Sequence, residues 1–81
     1  MAKILVVEDN DELAKLIANG LADAGYAVDR LGTVADARQA LAGTHYAAVI
    51  LDLGLPDADG LSLLRELRHR RDPVPVLVLT A

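Results

Sequence analysis

The chain has 81 residues, 53% hydrophobic and 25% charged, so it is long enough for one small domain and too apolar for a disordered segment. It contains no cysteine, which excludes disulfides, thiol nucleophiles and cysteine-ligated zinc, and its net charge of −4 argues against nucleic-acid binding by this chain. No apolar run is long enough to span a membrane and the start does not resemble a signal peptide, so we expect a cytoplasmic protein.

The first half of the chain predicts two strands, each followed by a helix. Residues 4–7 form a continuous apolar run that is typical of a strand buried on both faces. Residues 27–31 predict a weaker edge strand, and Thr33 is placed to cap a second helix that ends at Gly43. The first helix, over 11–24, is predicted to bury one apolar face made of Leu13, Leu16, Ile17, Gly20, Leu21 and Ala24.

The second half repeats this alternation. Residues 47–51 predict another buried strand, followed by Asp52 and a turn-rich loop over 53–59. A third helix is expected to face inward with Leu61, Leu64 and Leu67 and to end in the cationic residues 68–71. Residues 74–80 predict a fourth buried strand, with Pro75 near its start.

Strands that alternate with helices predict an α/β fold with a parallel sheet and helices on both faces. Acidic residues follow the first and third strands, namely Glu8 and Asp9 after one and Asp52 after the other. If the strand order is 2-1-3-4, the order reverses between these two strands, where doubly wound sheets bind ligands. Glu8, Asp9 and Asp52 are then expected to converge in one crevice.

Three converging carboxylates favour a bound cation, and oxygen ligands without histidine or cysteine suit Mg²⁺. With the metal in place, one carboxylate could attack phosphorus as a nucleophile. A dinucleotide or P-loop site is rejected, because the first strand-to-helix turn, EDNDE at 8–12, is acidic and has no glycine. The simpler alternative is that these acids are solvated polar residues at strand ends.

Three segments carry a resemblance through the whole chain: KILVVEDN at 3–10, LDLGLPDADGL at 51–61 and VLVLTA at 76–81. In order and spacing they resemble the receiver domain of two-component response regulators, and most closely receivers that precede a winged-helix DNA-binding domain. The resemblance implies a flavodoxin-like fold and a phosphoryl acceptor rather than an enzyme, with a sensor histidine kinase as partner.

The resemblance also implies a role for individual residues. Asp52 would accept the phosphoryl group, and Mg²⁺ would be held by Glu8, Asp9, Asp52 and the backbone carbonyl of Gly54. Thr80 would be the switch hydroxyl that turns toward the phosphoryl group. The family's fifth strand, with its lysine, and the helices beside it are not in this sequence, so we expect residues 1–81 to be one receiver domain fragment.

The remaining polar residues are predicted to be structural. Asp57 and Asp59 are interpreted as turn and N-cap residues, and His45 and His69 as surface residues. Tyr26 and Tyr46 are expected to be half-buried beside strands. The alternative function is a non-phosphorylated module that forms a homo-oligomer through the exposed edge of the fourth strand.

Overall fold

The computed structural model describes residues 2–79, which form a parallel sheet of four strands and three helices. The strands are β1 (Lys3–Val7), β2 (Ala27–Leu31), β3 (Ala48–Asp52) and β4 (Val76–Leu79). The helices are α1 (Asp11–Asp23), α2 (Val34–Gly43) and α3 (Gly60–His69). The strand order is β2-β1-β3-β4 with every pair parallel, so the predicted fold class and topology are confirmed. None of the helices within residues 2–79 is long and apolar enough to cross a bilayer.

The main core lies between the sheet and the helices α2 and α3. Because side chains alternate across a strand, Leu5 and Val7 of β1 face this side together with their neighbours Val49 and Leu51 of β3. All four are fully buried, and each contributes about 1.5–3 kcal/mol by leaving water. This core has no phenylalanine or tryptophan, so leucine and valine supply its volume.

Helix α1 covers the opposite face of the sheet, over β1 and β2, but not with the predicted residues. Its buried residues are Ala14 and Ala18, whereas Leu13 is 40% and Leu16 71% exposed. The predicted apolar face is therefore right only at Ile17 and Leu21, which are half-buried, and wrong at the exposed residues Leu13, Leu16, Gly20 and Ala24. The small side chains of Ala14 and Ala18, four residues apart on one face of α1, let the helix lie close to the sheet.

Two smaller expectations are also corrected. Leu63 and Leu67 are the buried leucines of α3, while Leu61 and Leu64 are only partly buried. Pro75 precedes β4 instead of lying within it, and its carbonyl accepts a hydrogen bond from the Val49 N–H at 2.8 Å. Proline has no N–H, so this position uses only its carbonyl for the pairing.

The predicted helix boundaries agree with the capping contacts. The Thr33 side chain accepts a hydrogen bond from the Asp36 N–H, and the Asp59 side chain accepts one from the Leu61 N–H. Asn10 caps α1 in the same way by accepting from the Leu13 N–H at 3.0 Å. Gly25 follows α1 with φ of 98°, a conformation that L side chains rarely adopt.

The two tyrosines differ in burial, although both were predicted to be half-buried. Tyr26 is 40% exposed, whereas Tyr46 is 4% exposed and its hydroxyl donates a 2.6 Å hydrogen bond to Asp29 Oδ2. Lys3 lies 3.2 Å from the same oxygen. Burial and the Asp29 hydrogen bond raise the pKa of Tyr46 to about 12, and the Tyr46 hydrogen bond lowers the pKa of Asp29.

Candidate functional site

The sheet brings the acidic ends of β1 and β3 side by side. Val7 pairs with Leu51, so the next residue on each strand, Glu8 and Asp52, lies at the same level of the sheet. Asp9 follows directly. Because β1 and β3 are neighbours at the point where the strand order reverses, their carboxyl ends form the crevice expected from the sequence.

Glu8, Asp9 and Asp52 form one cluster, called the acidic cluster below. Each residue offers a carboxylate oxygen, and these oxygens lie within 4.8 Å of one another. Glu8 is buried, Asp52 half-buried and Asp9 exposed, so the cluster opens to solvent on one side. Such a set of oxygen ligands fits a hard divalent cation such as Mg²⁺.

Glu8 shows the electrostatic consequence of this convergence. It is 7% exposed, and burial raises the pKa of its carboxyl, with Asp9 and Asp52 adding to the increase. One contact acts against this increase and lowers the pKa of Glu8: Glu8 Oε2 accepts a 3.2 Å hydrogen bond from the Asn10 N–H. A cation at the acidic cluster would offset the repulsion among the three carboxylates.

The loop over residues 53–59, called the acceptor loop below, lies beside the acidic cluster. An ideal Cβ atom built on Gly54 would lie 3.8 Å from Asp52 Oδ2, which places the Gly54 backbone next to this carboxylate. That distance is ordinary van der Waals contact, so glycine is not sterically required here. Leu55 anchors the loop because its side chain is buried in the main core.

Gly60 is a site-shaping residue whose role the sequence reasoning missed. A Cβ atom on this residue would stand 2.6 Å from the carbonyl oxygen of Asp52 and 3.2 Å from Leu53 Cα. Only glycine lets the first turn of α3 approach the end of β3 this closely. A signal was available, since glycine is a poor helix former and here directly follows the N-cap Asp59.

Asp57 and Asp59, the two aspartates of the acceptor loop, make contacts with different helices. Asp59 caps its own helix, as predicted. Asp57 lies in a bend, as predicted, and its carboxylate also accepts hydrogen bonds from the Val34 and Ala35 N–H groups of α2, a contact that the sequence reasoning missed. The predicted switch residue Thr80 lies outside the described residues. His45 and His69 are exposed, as predicted.

Two cavities differ in their relation to the acidic cluster. Glu8 and Asp9 line a cavity of about 140 Å³, which has room for several waters at about 30 Å³ each. A larger cavity of about 310 Å³ lies at the opposite end of the strands, beside the segments that lead into β3 and β4, and Asp72 is the one carboxylate in its lining. The smaller cavity adjoins the acidic cluster through Glu8 and Asp9, but its lining includes Arg30 and not Asp52. The candidate metal position is therefore defined by the three carboxylates and not by this cavity.

Comparison with known proteins identifies the class. The response regulator receiver domain model matches residues 4–81. The chain therefore belongs to this family, the receiver domains of two-component response regulators, and the resemblance stated from the sequence is confirmed.

Its relatives include transcriptional regulators that are much longer than this chain. The transcriptional regulatory protein BasR of Escherichia coli is 46% identical over 79 residues, covering 98% of this chain and 36% of BasR. The transcriptional regulatory protein TcrA of Mycobacterium tuberculosis is 46% identical over 82 residues, covering 98% of this chain and 31% of TcrA. The chain thus spans about a third of the length of these relatives.

Solved structures of response regulators superpose on the whole chain. The response regulator TrrA of Thermotoga maritima, in complex with Mg²⁺-BeF, has a TM-score of 0.94 and 31% identity over 100% of this chain and 70% of that one. The non-phosphorylated HemR receiver domain of Leptospira biflexa has a TM-score of 0.92 and 31% identity over 100% of this chain and 65% of that one.

Proposed function

We propose that Asp52 accepts a phosphoryl group from a phosphohistidine of a sensor histidine kinase in a reaction that requires Mg²⁺. The observation that carries the proposal is the acidic cluster, in which carboxylate oxygens of Asp52, Glu8 and Asp9 lie within 4.8 Å of one another. TrrA, which has the same fold, was solved with Mg²⁺-BeF, and this supports the choice of metal and of the ligand chemistry.

The proposed transfer is a displacement at phosphorus. A carboxylate oxygen of Asp52 forms the new P–O bond while the P–N bond of the phosphohistidine breaks, and the electron pair of that bond stays on the imidazole. Glu8, Asp9, Asp52 and the Gly54 carbonyl would hold Mg²⁺, which would neutralise charge on the phosphoryl oxygens. The switch role of Thr80 belongs to the same proposal.

The expected consequence of the transfer is a signal, not catalytic turnover. Asp52 is itself modified, so we propose that the chain is not an enzyme. The transcriptional regulators among its relatives support control of a separate DNA-binding domain, of the winged-helix class by resemblance. The net charge of −4 is consistent with DNA contacts being made by that other domain.

Phosphorylation with a small-molecule donor tests this function. Incubation with acetyl phosphate and Mg²⁺ is expected to add the mass of one phosphoryl group to the chain, and chelation of Mg²⁺ by EDTA is expected to prevent it. Asp52→Asn is expected to abolish the addition, whereas the matched variant Asp59→Asn keeps it because Asp59 only caps α3. Equal phosphorylation of the Asp52→Asn variant would contradict the proposal.

A specific observation also favours self-association as a second property of this chain. Within residues 2–79, β4 pairs only with β3, and its Leu77 is 61% exposed. An exposed apolar edge strand is a template for pairing with another chain. We propose a homo-oligomer in which β4 meets its copy, most simply around a two-fold axis.

A further inference from the structure

Asp57 connects the acceptor loop to a helix that follows a different strand. Its Oδ1 accepts a hydrogen bond from the Val34 N–H at 2.9 Å, and its Oδ2 accepts one from the Ala35 N–H at 3.0 Å. Val34 and Ala35 are the first two residues of α2, which follows β2. The contact therefore joins segments more than twenty positions apart in sequence.

The contact completes the capping of α2. Thr33 Oγ1 accepts from the Asp36 N–H, and the Thr33 carbonyl accepts from the Ala37 N–H. The Val34 and Ala35 N–H groups would otherwise have no partner in the helix, and Asp57 supplies both acceptors. These two N–H groups lower the pKa of Asp57, as expected for a carboxylate at a helix N-terminus.

The same contact fixes the acceptor loop from its far side. Asp52 begins the segment at the end of β3, Leu55 is buried in the core, and Asp57 is bound to α2. Gly54 lies between these anchors, with its backbone beside the Asp52 carboxylate. A loop held on both sides of Gly54 keeps the Gly54 carbonyl in one position. Residues that do not touch a metal commonly orient its ligands in this way.

We propose that Asp57 is a positioning residue whose two hydrogen bonds to α2 hold the acceptor loop so that the Gly54 carbonyl can serve as a Mg²⁺ ligand. This inference rests on the proposed Mg²⁺ site of the acidic cluster. Asp57 touches neither the metal nor the phosphoryl group in this account. It acts through the loop, and its second effect is to hold the start of α2 against the acceptor loop.

The rival explanation is that Asp57 only stabilises α2, as any cap does, by about 0.5–2 kcal/mol. A purely structural cap would lower the melting temperature of the Asp57→Asn variant without changing the Mg²⁺ affinity of the folded protein. Positioning predicts a change in Mg²⁺ affinity at temperatures where every variant is fully folded. The two explanations are thus separated by measuring both quantities.

The test is an Mg²⁺ titration of the 81-residue chain followed by backbone amide resonances. Asp57→Asn is expected to raise the Mg²⁺ dissociation constant about tenfold, and Asp57→Ala at least as much, because an outer group that orients a ligand has been lost. The charge control is Asp36→Asn, which removes an exposed carboxylate from the first turn of α2 and leaves the Thr33 contact in place. Its dissociation constant is expected to change less than about twofold, since solvent and salt screen exposed charges.

A stability control and a metal-free measurement complete the design. Tyr46→Phe removes the 2.6 Å hydrogen bond that Tyr46 donates to Asp29. Tyr46 precedes β3 and so lies at the opposite end of that strand from Asp52, and the Mg²⁺ affinity of this variant is expected to stay unchanged. Without metal, Asp57→Asn is expected to shift the amides of residues 53–55 and to speed amide exchange at Val34 and Ala35. Neither control variant is expected to shift residues 53–55.

Each outcome decides a different claim. Unchanged Mg²⁺ affinity in Asp57→Asn, or unshifted amides at 53–55, would overturn the positioning role. A fully retained affinity with a lowered melting temperature would leave Asp57 as a cap alone. If the unsubstituted chain shows no Mg²⁺-dependent shifts at the acidic cluster, the proposed function fails, and the metal-free amide shifts still decide whether Asp57 holds the loop.

Discussion

Gly60 and Asp52 approach each other so closely that any side chain at residue 60 would collide with the backbone of Asp52. A Cβ atom there would stand 2.6 Å from the Asp52 carbonyl oxygen, a distance that real Cβ atoms do not adopt. The first turn of α3 is therefore packed directly against the strand end that carries the proposed phosphoryl acceptor.

Replacing this glycine tests the contact. Gly60→Ala is expected to destabilise the chain by about 1–3 kcal/mol, the usual cost of overpacking, and to weaken Mg²⁺ binding by displacing Asp52. Thermal unfolding and an Mg²⁺ titration measure the two effects. Gly20→Ala is the matched control, because its new Cβ would meet nothing within 4 Å apart from its chain neighbours and the backbone of α1 itself. It is expected to stabilise α1 by about 0.5–1 kcal/mol. A neutral Gly60→Ala variant would contradict the close approach.

Glu8→Gln is expected to have opposite effects with and without metal. Without Mg²⁺ the variant is expected to be more stable at neutral pH, because Glu8 is buried beside Asp9 and Asp52. The raised pKa of Glu8 means that its ionised form destabilises the folded chain, and glutamine removes this charge. With Mg²⁺ it is expected to gain less stability, because a charged ligand has been lost. Chemical denaturation at several Mg²⁺ concentrations measures both. A variant that is less stable without metal, or that keeps the full Mg²⁺ effect, would contradict a shared cation site.

Stability is expected to decline at alkaline pH because of Tyr46. Its folded pKa of about 12 exceeds its ordinary value of 10.0, so the unfolded chain releases this proton first. The stabilisation is complete below pH 10 and is lost as the pH rises toward 12, by about 2–3 kcal/mol in all. Denaturation at stepped pH is expected to show this slope in the unsubstituted chain and a smaller one in Tyr46→Phe.

A direct titration checks the same group. The Tyr26→Phe variant retains a single tyrosine, so ultraviolet absorbance then reports the ionisation of Tyr46 alone. A midpoint near 10 would show that the hydrogen bond to Asp29 is not formed in solution. At acid pH the relevant group of this pair is Asp29, because the Tyr46 hydrogen bond lowers its pKa in the folded chain. The ionised Asp29 therefore stabilises the fold at neutral pH, and this stabilisation is lost as the pH falls through the pKa of Asp29 in the folded state.

Self-association is expected to depend on β4. Sedimentation of the unsubstituted chain at several concentrations is expected to show a dimer or larger species, and Leu77→Lys is expected to weaken it. Leu16→Lys on α1 is the matched control, since Leu16 is 71% exposed but lies outside the strand edge. A chain that stays monomeric at all concentrations, or an equal loss in both variants, would contradict pairing through β4.

The sheet and the acidic cluster were predictable because both depend on local patterns and one topological rule. Apolar runs ending in Glu8 and in Asp52 fix two buried strands, and the strand order 2-1-3-4 then places their ends together. Neither step needs a side-chain contact between distant residues, which is why the convergence of Glu8, Asp9 and Asp52 could be predicted from the sequence.

The parts that were missed depend on tertiary contacts. The face of α1 was predicted only in part, because the large leucines dominate its apolar pattern, whereas the residues buried against the sheet are the small Ala14 and Ala18. Asp57 lies in the acceptor loop, and its partners lie at the start of α2. The close approach of Gly60 to the backbone of Asp52 exists only after α3 has packed against the end of β3. A pattern within one segment carries no information about such contacts.

The most direct test of the central claim is to locate the phosphoryl group by chemical trapping. After incubation with acetyl phosphate and Mg²⁺, borohydride reduces an acyl phosphate to an alcohol, and tandem mass spectrometry of peptides then identifies the altered residue. We expect the mass change at Asp52 alone, and only when Mg²⁺ is present. Trapping at Asp57 or Asp59, or equal trapping at Asp52 without Mg²⁺, would contradict the assignment of the acidic cluster as a metal-dependent acceptor site.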